Sequence, residues 1–113
     1  MTSEERAVFS SRWDTTQARF VDQPATAVDE ADRLIADVMA ARGYPVENFE
    51  QQAADVSVDH PQVVAEYRAG HAIAEANGRQ QASTEDLRQA MVHYRALFDS
   101  LVTEANEHVE EVR

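Results

Sequence analysis

Between Ser83 and about His108 the apolar residues Leu87, Met91, Tyr94, Phe98, Leu101 and Ala105 recur at alternating steps of four and three. That spacing sets all six on one stripe of an α-helix. Leu97 and Val102 widen the stripe to the face that a globular bundle buries. Ser83 is a good N-cap, and Asp86 three residues on can act as the capping-box carboxylate. Glu85 and Asp86 suit the positive end of the helix dipole, and Arg88 and Arg95 fall on the outer face. At the far end Glu104, Glu107, Glu110 and Glu111 crowd the negative end, offset by Arg113 alone. The pattern predicts fraying after about Ala105.

The chain before that stretch shows the same period. Phe9, Trp13, Thr16 and Phe20 share a stripe, with Val8 and Val21 beside it, and predict a helix over 3–21 that Thr2-x-x-Glu5 caps. Pro24 ends that helix and opens the next, with Asp22 as the expected cap. Ala27, Val28, Ala31, Leu34, Ile35, Val38 and Met39 form a broad apolar face on a second helix to about Arg42. Asp29, Glu30, Arg33 and Asp37 line its other side at helical pair spacing. Gly43 suits a left-handed C-terminal cap, and Pro45 makes the stop firm. Val46, Phe49, Ala53 and Val56 predict a short helix over 46–57. A break follows at Asp59-His60-Pro61, although one long helix kinked at Pro61 is the alternative. A further helix over about 60–77 carries Val63, Val64, Tyr67, His71, Ile73 and Ala74 inward and ends at Asn77-Gly78. Gly70 weakens that helix but leaves room for a neighbour to approach closely. No stretch has the period-two alternation of a strand. The expectation is an all-α, four- to five-helix bundle with a long C-terminal helix, as one domain over 1–113 with 1–5 and 106–113 frayed.

Composition narrows the function classes. Leu, Ile, Val and Phe number 23 of 113 residues, a thin supply of core for a chain of net charge −11. A second copy would supply further burial, which makes self-association an expectation. All ten basic residues are arginine and are scattered among twenty-one acids, so no basic face is available for nucleic acid or an anionic membrane. The absence of cysteine excludes disulfides, thiol catalysis and cysteine zinc sites. The absence of lysine excludes Schiff-base chemistry and a phosphate-binding P-loop. The first residues lack the basic and apolar run of a secretory signal, and no stretch is long and apolar enough to span a bilayer. A cytoplasmic protein is expected.

Two motif sets carry a family resemblance. Arg12-Trp13, Gln17, Phe20-Val21-Asp22-x-Pro24, Ala27-Val28 and Ala31-Asp32 make the first. Thr84-Glu85-Asp86-Leu87-Arg88, Ala90, Tyr94-Arg95 and Phe98 make the second. Together they resemble a small helical domain widespread in actinobacterial proteins and cover most of residues 12–102. The resemblance implies a helical fold and no particular activity. The chain departs from it at Gly43-Tyr44-Pro45 and Asp59-His60-Pro61. Both motifs also have an architectural reading, the first as a helix stop and corner, the second as a helix start.

Candidate chemistry is sparse. The residues three before His60, His71, His93 and His108 are Ser57, Arg68, Ala90 and Ala105, so the Glu-x-x-His of a di-iron bundle is absent. Glu104 and His108 are one turn apart, too few ligands for a firm metal site. Ser57, Asp59 and His60 read better as a cap and a break than as a catalytic group. Neither catalytic nor metal residues are assigned, and no cofactor is expected. The preferred reading is a non-enzymatic protein-interaction or assembly module, a homo-oligomer with a protein partner. Trp13, Phe20, Tyr94, Phe98 and Leu101 are its candidate interaction residues. The first alternative is a ligand- or metal-binding bundle with Tyr67 and His71 in an interhelical pocket. The second is an acidic regulator that covers a basic protein surface.

Overall fold

The computed structural model describes residues 2–44 and 61–112, with side chains described through Val102. Among the described residues there are four helices and no strand: α1 (Ser3–Arg19), α2 (Pro24–Ala41), α3 (Pro61–Gly78) and α4 (Thr84–Val112). The helix expected over 46–57, the Ser57-Asp59-His60 group and the choice between a break and a kink there lie outside the described residues. At 29 residues α4 is the longest element.

Local chemistry sets most of the boundaries. The Thr2 hydroxyl accepts the Glu5 N–H at 3.0 Å, and the Glu5 carboxylate accepts the Thr2 N–H at 2.9 Å. That second bond holds the Glu5 carboxyl below the usual carboxylate range. The helix starts at Ser3, where the Thr2-x-x-Glu5 box places its start. Ser83 and Asp86 close the same reciprocal box at the start of α4, both bonds at 3.0 Å. The α4 helix spans Thr84–Val112.

The cap of α2 differs from expectation. Gln23, not Asp22, is the N-cap and makes no side-chain capping bond. Pro24 at the first helical position needs no N–H partner and fixes φ, so the turn forms without a carboxylate. The Asp22 N–H instead bonds to the Arg19 carbonyl and finishes α1. At the other end Gly43 sits at φ +87°, with Tyr44 N–H on the Met39 carbonyl at 2.9 Å and Gly43 N–H on the Ala40 carbonyl at 3.0 Å. Those paired bonds are a Schellman motif. α3 ends the same way, but Gln80 takes the left-handed position at φ +58°, and Gly78 lies inside the last turn. Gln81 N–H reaches the Ala76 carbonyl at 2.8 Å and Gln80 N–H the Asn77 carbonyl at 2.9 Å.

The core lies where α4 packs along α3 and across α2. Leu34, Ile35, Val38, Met39, Val63, Tyr94, Leu97 and Leu101 are fully or almost fully buried there. α1 packs on α2 and meets α4 through Trp13, whose ring stacks on Phe98 at 5.6 Å and 12°. Val8 and Val21, expected beside the α1 stripe, stay in water at 57% and 82% exposure. α1 is an outer helix, so only its narrow Phe9–Trp13–Thr16 edge is covered. Ion pairs fasten that edge to α2: Arg12 to Asp37 at 2.9 Å and Arg19 to Glu30 at 2.6 Å. The sequence pairs Asp37 with Arg33 on its own helix; its partner is on α1 instead.

Candidate functional site

Two places gather the residues singled out by the sequence. The first is polar and internal. Val28, Asp32, Ile35 and Met39 share one stripe of α2, so Asp32 is a carboxylate set among core positions. Tyr94 crosses from α4 and donates its hydroxyl to Asp32 Oδ1 at 2.5 Å. His71 from α3 approaches the same oxygen through Nδ1 at 3.1 Å. With Asp32 as a carboxylate, which only accepts, His71 is the donor from Nδ1. Its ring stacks on Tyr67 at 5.2 Å, and Nε2 lies 3.9 Å from Glu75. Gly70 makes this approach possible, because a Cβ there would lie 2.6 Å from Tyr94 Cε1.

Asp32 thus ties three helices at one oxygen. Two satellites repeat the device. His93 Nδ1 meets Glu66 at 2.8 Å between α4 and α3. The Asn77 side chain donates to the Ala25 carbonyl at 2.9 Å and to Asp29 at 3.3 Å, closing α3 onto α2. Tyr67 and His71 are brought together as the sequence suggests, their rings stacked and His71 bonded to Asp32. Among the described residues no group of three or more histidines and acids is placed to hold a metal ion.

The Tyr94 hydroxyl is pushed far above the usual tyrosine range, first by burial, then by the charge of Asp32 and the bond donated to it. The folded state therefore holds the neutral phenol where an unfolded chain ionises near pH ~10. Above that pH the unfolded state binds fewer protons than the native state, so stability falls as pH rises. Below it the contribution is complete. The melting temperature is expected to drop above about pH 10, and phenolate absorbance from Tyr94 to appear only with unfolding. In a Tyr94→Phe variant the drop should flatten; an identical alkaline slope would remove Tyr94 as its cause.

The second place is apolar and external. Trp13, Gln17 and Phe20 follow one edge of α1, and Arg88, Met91, Val92 and Arg95 follow α4. They bound a groove of about 250 Å³. Trp13 forms its floor and is itself held by Phe98. Phe20 is half-buried, and Val92 is 50% exposed. A hollow of about 310 Å³ between α1 and α2 is larger, but Ser11, Arg12, Thr15, Glu30 and Arg33 make its walls polar.

Of the five expected interaction residues, Trp13 and Phe20 line the groove. Tyr94 and Leu101 have no exposure and Phe98 only 5%, so these three serve the chain's own core. Their stripe is covered by α2, α3 and, at Phe98, Trp13 of α1. Met91, Val92, Arg88 and Arg95 complete the groove, and sequence reasoning did not select them. Val92 lies one position off the core stripe, and the two arginines flank it one heptad apart. That apolar position between basic neighbours was the available signal.

No helix among the described residues is long and apolar enough to cross a membrane. No protein-family model matches the chain, and no curated protein or solved structure matches it. The resemblance to actinobacterial helical domains rests on its two motif sets alone.

Proposed function

We propose that this chain is a non-enzymatic protein-interaction module that self-associates through the groove between α1 and α4. One observation carries the reading: a Trp13-floored apolar groove is open to water, with Val92 half exposed on its rim. Large aromatic residues in such a depression are the usual anchors of an interface. The thin supply of core residues points the same way, since covering the groove adds apolar burial that one chain lacks. The polar cluster supports a positioning role over a catalytic one. Asp32, Tyr94, His71 and Tyr67 are engaged with one another, and Gly70 lets α3 close on the Tyr94 ring.

Val92→Asp tests this without touching the core. Sedimentation across a concentration series should show association for the wild type and a shift to monomer for the variant, with unchanged helical content and melting temperature. A wild-type chain that stays monomeric, or a variant that associates as well as the wild type, would remove the groove from this role.

A further inference from the structure

Resting on that self-association, we infer that the groove of one copy receives the acid-rich carboxyl-terminal part of α4, residues 102–112, from a second copy. The groove has an apolar floor and two rim arginines in a chain of net charge −11. Arg88 contacts Glu85 at 2.7 Å, and Arg95 lies 3.9 Å from Asp99. Both are neighbours on one helix with more than half of each side chain in water, so water screens these pairs and a new carboxylate can replace either acid.

The proposed occupant is the matching object. Residues 102–112 are helical and carry Val102, Ala105, Val109 and Val112 at steps of three, four and three, an apolar stripe. Glu104 and Glu110 fall on either side of that stripe by helical period and supply the opposite charge to the rim. Those acids also sit at the negative end of the helix dipole, with no basic residue in the last turn. Arginines brought from outside would relieve that conflict.

Among the described residues, the carboxyl-terminal part of α4 does not fill the groove of its own chain. α4 is continuous from Thr84 to Val112, so Glu107 lies about 22 Å along the axis from Val92 at 1.5 Å per residue. A continuous helix carries that segment away from the groove on the same helix, so a second copy is the source of the occupant. The simpler contact, groove against groove, is disfavoured by charge. A two-fold axis through the middle of the groove sets Arg88 of each copy toward Arg95 of the other, like against like.

The test uses the full chain, a chain ending at Val102, and a synthetic peptide of residues 102–113. The shortened chain is first required to match the helical content and cooperative melting of the full chain. A full-length Glu104→Arg/Glu110→Arg variant should lose association as the shortened chain does. Native mass spectrometry should show the full chain associated and the shortened chain monomeric. The peptide should bind the shortened chain and change the fluorescence of Trp13, the only tryptophan. Raising the salt concentration should weaken this binding. An Arg88→Glu/Arg95→Glu variant, checked for intact helical content, should lose peptide affinity by roughly tenfold or more, since rim charges are reversed rather than removed. If the shortened chain associates as strongly as the full chain, the occupant is wrong while self-association stands. If the full chain is monomeric throughout, self-association itself fails. Tight peptide binding that is indifferent to salt and to the arginine reversal would also overturn the inference.

Discussion

Replacing Leu101 by aspartate is expected to unfold the bundle rather than separate copies of it. Leu101 has no exposure and belongs to the cluster that joins α2, α3 and α4. Truncation to alanine at such a site costs ~2–5 kcal/mol, because the cavity collapses only in part. Aspartate adds a carboxylate with no partner in an apolar setting, which costs several kcal/mol more or forces its protonation. A domain of this size has a total stability of only ~5–15 kcal/mol, and a thin core argues for the lower part of that range. Circular dichroism at neutral pH should therefore show Leu101→Asp largely unfolded. Leu101→Ala should melt cooperatively at a lower temperature. A Leu101→Asp protein with wild-type melting would place this side chain at a surface. The contrast with Val92→Asp separates the two roles: one aspartate enters the core and the other enters the groove.

That contrast also marks where the sequence was legible. The four-and-three spacing from Leu87 to Leu101 identified the buried face of α4, because burial on a helix obeys a fixed period. Thr2 with Glu5 and Ser83 with Asp86 were readable because capping chemistry is local. Which helix covers a stripe is not local. Tyr94, Phe98 and Leu101 read equally well as an interface or as a core, and the choice belongs to α2 and α3, far away in sequence. The same limit explains Val8 and Val21, which satisfy the period of α1 but face no neighbouring helix. Gln80 shows another kind of limit. Gly78 is the better left-handed residue, yet it is the last residue of α3, and Gln80, two residues beyond, takes the conformation. Asp32 was readable in principle, as an acid in the Val28–Ile35–Met39 stripe. An acid at such a position implies a buried partner without naming it, and Tyr94 and His71 come from two other helices.

Gly70→Ala should lower stability, although helix propensity alone favours alanine at this position by ~1 kcal/mol. The new Cβ would lie 2.6 Å from Tyr94 Cε1, 2.9 Å from Cζ and 3.0 Å from Cδ1. Tyr94 cannot move aside cheaply. Its ring has no exposure, and its hydroxyl is anchored on Asp32. Either α3 backs away from α4 and loosens the packing of Val63, Val64 and Tyr67, or the ring shifts and the hydroxyl leaves the carboxylate. Overpacking costs ~1–3 kcal/mol and a bond to a charged acceptor contributes ~1.5–3 kcal/mol; by either route, after the propensity gain of ~1 kcal/mol, the net loss in urea unfolding should be about 1–2 kcal/mol. A double-mutant cycle identifies the cause. In a Tyr94→Leu background the clash is absent, so adding Gly70→Ala should be neutral or stabilising, a reversal of sign. Tyr94→Phe should not give that reversal, because it keeps the ring and removes only the anchor. A Gly70→Ala protein more stable than the wild type would mean that Tyr94 is free to swing. It would then not be the rigid post through which Asp32 holds α2, α3 and α4 together.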